Sequence, residues 1–182
     1  MAGIDIQGLS DNIKNYPPLR ANRYNVFIKF PPSMNGSLEG PLWASSVTFP
    51  GRSIATVEKR MFGPQRDMPY ERLFSGDLDI TFMVRGGNWI RNQMEKWMDN
   101  IIDPETNRLS EDRHQYLGNI EIDLLDIKNE IQYGITVNEV FPKMISPIQL
   151  SYQSENELIQ QSISFSFRNY EQRNESDSND GP

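Results

Sequence analysis

The chain has 182 residues, of which 37 % are hydrophobic, and carries a formal charge of −7 from 18 basic and 25 acidic residues, with a mean hydropathy of −0.61. This acidity argues against tight binding to nucleic acid, whose duplex form carries one negative charge per ~1.7 Å of axis. The absence of cysteine removes disulfides, thiolate metal sites and Cys nucleophiles. No apolar run approaches the roughly 20 residues of a membrane-spanning helix, and the first residues lack the basic start and apolar core of a signal peptide.

Residues 1–20 hold scattered apolar groups (Ile6, Leu9, Ile13), reach Pro17-Pro18 near their end, and read as an N-terminal arm. In "RYNVFIKF", Tyr24, Val26, Ile28 and Phe30 share one face, which predicts a strand stopped by Pro31-Pro32. "PLWASSVTFP" predicts a second short strand, closed by Pro50-Gly51. Residues 50–76 do not read as part of a compact sandwich. They combine five bases (Arg52, Lys59, Arg60, Arg66, Arg72) with Met61, Phe62, Tyr70, Leu73 and Phe74. Arg plus aromatic composition is typical of contact surfaces, so this stretch reads as an extended docking arm between subunits.

"DLDITFMVR" alternates strictly, with Leu78, Ile80, Phe82 and Val84 on one face and Asp77, Asp79, Thr81 and Arg85 on the other. After Gly86-Gly87 the period changes to three or four, which predicts a helix over 88–102 capped by Asn88. Ile90, Met94, Trp97, Met98 and Ile101 form its apolar stripe, and Arg91 and Glu95 are spaced to pair. Further strands are predicted at "GNIEIDLLD", at "YGITVNEVF" with a phase slip near Glu139 that a bulge would explain, at "SPIQLSY", and at "LIQQSISFSFRNY". In the last of these Ile163, Phe165 and Phe167 oppose Ser162, Ser164, Ser166 and Arg168. Residues 171–182 contain no aliphatic or aromatic group and read as an acidic, disordered tail. Residues 21–170 are then one mainly β domain, an antiparallel sandwich or barrel with one flanking helix.

Signals for chemistry are sparse. The single histidine, His114, sits in the polar stretch "LSEDRHQY" and reads as a surface group. Asp77 with Asp79, and Glu121 with Asp123, could in principle hold calcium or act as an acid/base pair, but any polar sheet face shows such pairs. No phosphate-cradling loop or nucleophile elbow is present. The reading is of a non-enzyme with no cofactor and no metal. Two readings of another class stay open: a carbohydrate-binding sandwich using Trp43, Trp89 and Trp97, and a hydrolase using the carboxylate pairs.

Several segments together resemble the tail tube proteins of contractile-tailed bacteriophages. They are "RYNVFIKF", "ASSVTFPGRSIATVEKRMFG", the strand-to-helix step "LDITFMV" to "NWIRNQMEKWMDNI", and above all the block "NEIQYGITVNEVFPKMISPIQLSYQSENELIQQSISFSFRNYE". The resemblance implies hexameric rings stacked into a hollow tube inside a contractile tail sheath. It implies a virion protein made in the host bacterial cytoplasm, with self, the sheath protein, and baseplate, tube-initiator and tube-terminator proteins as partners. The tape measure protein and DNA would pass through the lumen without sequence-specific binding. Baseplate tube initiators and tube caps share the same domain and remain alternatives.

A bore that DNA slides through should be polar and not basic, because bases would hold phosphates. The candidate lumen residues are therefore Asp77, Asp79 and Thr81, Glu121 and Asp123, and Ser162, Ser164 and Ser166. The candidate inter-subunit contacts are Arg52, Arg60, Phe62, Arg66 and Tyr70.

Overall fold

A computed structural model describes residues 18–34, 44–60, 63–84, 89–152 and 158–173. Among the described residues nine strands and two helices follow in chain order: β1 (Tyr24–Lys29), β2 (Ala44–Val47), β3 (Gly51–Lys59), β4 (Arg66–Ser75), β5 (Leu78–Met83), α1 (Trp89–Ile101), α2 (Arg113–Tyr116), β6 (Gly118–Leu125), β7 (Ile131–Ile145), β8 (Gln160–Ser166) and β9 (Asn169–Arg173). One path of antiparallel strands runs β1-β6-β7-β8-β5-β2, with β9 added along β7. The alternating patterns read from the sequence for β1, β5 and β6 are these strands, and each buries its apolar face.

Strand β7 belongs to both layers of a sandwich. Its first part pairs with β6 on one side and β9 on the other, and its last part, from Phe141, pairs with β8. The changeover is the bulge that the phase slip foretold. Gly118 faces Val140 and Ile120 faces Val137, so Asn138 and Glu139 oppose the single Asn119. Glu139 adopts φ of 53°, a left-handed conformation that a non-glycine residue holds only where its surroundings enforce it. Its carboxylate takes Arg113 of α2 at 3.0 Å and Arg168, between β8 and β9, at 2.5 Å. These pairings hold the carboxyl below the usual range, the Arg168 hydrogen bond being the main cause.

The core lies between the layers. Val26 and Ile28, Leu78, Ile80 and Phe82, Ile120 and Ile122, Ile135 and Val137, and Ile163 and Phe165 meet there. Helix α1 covers it with Ile90, Met94, Trp97 and Ile101, four of the five residues of the stripe read from the sequence; the fifth, Met98, is only partly buried. The Arg91–Glu95 pair forms at 2.7 Å on its outer side. Trp97 is fully buried, donates from Nε1 to the Tyr116 carbonyl at 2.7 Å, and meets the edge of Phe30 at 5.3 Å between ring centres. Gly118 lies against this ring. A Cβ there would stand 2.5 Å from the Lys29 carbonyl and 2.8 Å from the Trp97 ring, so only glycine lets β6 pass. At the outer margin the Tyr24 hydroxyl donates to the Ala44 carbonyl at 3.0 Å. The layers are tied there without a strand ladder, so the sheet is a sandwich and does not close into a barrel.

Four details differ from the sequence reading. "SPIQLSY" forms no strand: Pro147 brings no N–H to a ladder, and the last sheet-like bond runs from the Ser146 N–H to the Ser162 carbonyl at 2.9 Å. "LIQQSISFSFRNY" is not one strand, because at Phe167-Arg168 the chain leaves β8 and crosses to β9 in the other layer. Strand β9 continues to Arg173, so the tail drawn from 171 is ordered for its first three residues. Residues 50–76 are not a single extended arm but an antiparallel hairpin of β3 and β4. Asn88, residues 1–17 and residues 174–182 lie outside the described residues.

Candidate functional site

Two surfaces stand out. The first is the outward face of the β5–β8 layer. Register sets Asp79 opposite Ser164 and Thr81 opposite Ser162, so two stretches separated by eighty residues share one face. The Thr81 and Ser162 hydroxyls are bonded at 2.8 Å, and the Ser164 hydroxyl donates to Asp79. Lys143 of β7 reaches Asp77 at 2.7 Å. Ser166 continues the row opposite Phe141. The hydroxyls and acids here bond one another sideways along the sheet.

The second acidic pair behaves differently. Glu121 and Asp123 lie on β6, on the outward side of the other layer, but they are not open acids. Arg173 of β9 reaches across Gly134 of β7 to both Asp123 oxygens at 2.6 Å and to Glu121 at 2.9 Å. Lys29 takes the other Glu121 oxygen at 2.5 Å. Asp123 is 1 % exposed, and burial pushes its carboxyl above the usual range despite Arg173. The glycine is what makes room, since a Cβ on Gly134 would stand 2.7 Å from the Asp123 carboxylate. Sequence reasoning missed this triad because Arg173 fell in a stretch dismissed for its lack of apolar residues. The signal that could have found it was a glycine in the middle of an alternating strand.

An Arg173→Met substitution tests the triad. Asp123 would be left as a buried carboxylate without its cation, a loss of about 3–5 kcal/mol at neutral pH. A carboxyl whose folded pKa is raised gains stability as pH falls through that pKa, because the folded state then binds the proton more tightly than the unfolded one. Urea unfolding should therefore show the deficit shrinking from pH 7.5 to pH 5. An equal deficit at both would mean that Asp123 is not the charge Arg173 serves.

The second surface is the β3–β4 hairpin. It projects with Ile54 61 % and Tyr70 72 % exposed, and Val57, Met68 and Leu73 are also exposed. Ala55 faces Glu71 while Thr56 faces Pro69, so Tyr70 is the extra residue of a bulge beside a proline that cannot donate to the ladder. Among the proposed contacts Arg52 is used internally: its guanidinium lies 4.6 Å from the Tyr170 ring centre and donates to the Tyr170 carbonyl at 3.1 Å. With Phe74, which meets Tyr170 edge-on at 5.5 Å, it roots the hairpin on β9. Arg60 and Arg66 are exposed near the turn, and Phe62 lies outside the described residues.

The sugar-binding reading loses one of its two helix tryptophans, since Trp97 is buried and its N–H is taken. Trp43 and the Trp89 side chain lie outside the described residues. His114 is exposed on the short α2, and its backbone N–H is capped by Asp112. No described helix is long and apolar enough to cross a membrane.

Residues 19–173 match the model of a family described as phage tail tube protein. The chain belongs to the phage tail tube protein family. Membership makes it a structural component of the tail tube. It is 26 % identical over 134 residues to the tail tube protein of Serratia phage KSP90, covering 72 % of this chain and 75 % of that one. Its fold is similar to a chain of the sheath–tube complex of the extracellular contractile injection system PVC in the extended state, with a TM-score of 0.65 at 17 % identity over 90 % of this chain and 97 % of the other. A chain of the anti-feeding prophage tube-terminating cap is similar at a TM-score of 0.62 and 19 % identity, over 86 % and 91 %. The family match thus begins just before β1 and ends at Arg173, the residue that pins β9 of this tail tube protein to its sheet.

Proposed function

We propose that six copies of this tail tube protein close into a ring, that rings stack into the inner tube of a contractile phage tail, and that the β5–β8 face lines the bore through which DNA leaves. The observation that carries the reading is the β2-β5-β8-β7 layer. Among the described residues it is open at both ends of its path, at β2 and at the last part of β7, and its outward face offers hydroxyls and acids with Lys143 neutralised by Asp77. Unpaired edges invite another strand, and joining β2 of one copy to β7 of the next would continue the sheet around a ring. A mildly acidic hydroxyl wall keeps phosphates off without gripping them, because fixed charge acts only within ~8 Å at physiological salt. Glu121 and Asp123 suit the bore less well, since Lys29 and Arg173 already occupy them.

The sheath would surround the tube, the tape measure protein and DNA would fill the bore, and baseplate and terminator proteins would cap its ends. The similarity to sheath–tube, terminator, cap and baseplate chains of contractile injection systems supports this setting. Because the cap and terminator chains match about as well as the tube chain, a tube-end role is the second reading. Negative-stain microscopy of the purified protein separates the two. Tubes with six-fold end views are expected, whereas rings that never stack at high concentration would favour the end role. A protein that stays monomeric throughout would overturn both.

A further inference from the structure

The β3–β4 hairpin leaves Ile54, Val57, Met68, Tyr70 and Leu73 exposed, and a second surface of the chain also exposes large apolar groups. The segments Pro147–Tyr152 and Leu158–Gln160 wall a groove of about 500 Å³ beside the ends of β7 and β8. Three large side chains on its walls stand open: Leu150 is 77 % exposed, Leu158 73 %, and Tyr152 fully. Among the described residues that line it none is charged, and the polar side chains are those of Gln149, Ser151, Tyr152 and Gln160. Small-molecule sites are concave, with a few precisely placed polar groups to fix the ligand. Here the exposed rim of large apolar groups suits a projecting piece of protein instead.

The hairpin has the complementary properties. Residues 51–75 hold five of the 18 bases but only three of the 25 acids, a charge of +2, which leaves −9 on the rest of the chain. A basic, apolar projection on an acidic body is attracted to other copies of that body. The hairpin is rooted on β9 through Arg52, Phe74 and Tyr170, while the groove adjoins the β8 end of the other layer. A plug and a socket at different places on one chain make a heterologous contact, the kind that propagates head to tail.

We infer that the β3–β4 hairpin of one copy seats in the groove between Pro147–Tyr152 and Leu158–Gln160 of another copy, with Ile54 and Tyr70 as its apolar anchors. The inference rests on the reading of the chain as a self-assembling tube subunit, and it names the receiving surface. Tyrosine is the residue type expected at the centre of such a contact.

Cysteine chemistry tests it, since the chain has no cysteine of its own. Chains carrying Tyr70→Cys and chains carrying Leu150→Cys are mixed, assembled and treated with a short bis-maleimide. A cross-linked dimer is expected in the mixture and is lost when either variant is assembled alone. Assemblies that form normally but give no mixed dimer, or give it equally with one variant, would overturn the groove and leave the tube reading standing. Hydrogen exchange on the unaltered protein covers the case in which the cysteine variants fail to assemble. On passing from soluble chain to assembly, slower exchange is expected both in the hairpin and in the two groove segments. Slowing in the hairpin alone, or a groove already protected in the soluble chain by another segment of the same copy, would overturn the inference. An unaltered protein that never assembles would overturn the tube reading along with it.

Discussion

A Trp97→Ala chain is expected to lose about 3–5 kcal/mol, a large part of the 5–15 kcal/mol that a domain of this size holds. The side chain is fully buried, sits against Phe30 and lies 6.3 Å from Phe165 between ring centres. Removing it empties the place where the helix meets both layers, and the Tyr116 carbonyl loses its donor at the same time. Collapse cannot fill the gap cheaply, because β6 is already at contact distance through Gly118. The complementary change makes the same point from the other side. A Gly118→Ala chain would push its Cβ into the Lys29 backbone and the indole, costing about 1–3 kcal/mol by overpacking. Urea unfolding followed by far-ultraviolet circular dichroism reads both. A Trp97→Ala loss below about 1 kcal/mol would show that the helix is not braced through this ring.

The second large effect falls on assembly and not on folding. Ile54→Asp together with Tyr70→Glu places two charges on the most exposed apolar groups of the hairpin. Each position is solvent-exposed in the lone chain, so stability should change by no more than about 0.5 kcal/mol for each. Tube formation should fail at concentrations where the parent protein assembles fully. A central interface residue is worth about 2 kcal/mol or more, and the loss recurs at each copy. Sedimentation after assembly, alongside the thermal midpoint of the soluble chain, gives the two readouts. Normal tubes from the double variant would remove the hairpin from the interface, and a lowered midpoint would assign these residues to folding instead.

Much of the architecture was legible because the sandwich leaves one face of most strands apolar. Alternation at Tyr24–Lys29, Leu78–Met83 and Gly118–Leu125 marks three strands directly, and the slip at Glu139 marks the corner where β7 changes layers. The helix stripe was equally plain. What the pattern could not carry was pairing. Nothing local says that Asp79 meets Ser164 or that Arg173 reaches Asp123, since these depend on register between distant strands. Composition misled twice for the same reason. The hairpin looked like an unpaired arm because its strands cover no core, so their apolar residues show no clean alternation. The first residues of the tail looked unable to order because an ion pair, not apolar burial, holds them. The apolar residues of "SPIQLSY" showed the opposite error: they alternate as a strand does, yet Leu150 and Tyr152 face outward beside a groove, and Pro147 keeps the segment out of the ladder.

A helical reconstruction of tubes assembled from the pure protein, at a resolution that traces side chains, tests the bore directly. Six copies per ring are expected, with Asp77, Asp79, Thr81, Ser162 and Ser164 turned toward the axis and Arg173 away from it. A bore lined instead by Lys29, Glu121 and Arg173, or particles with no central channel, would contradict that assignment.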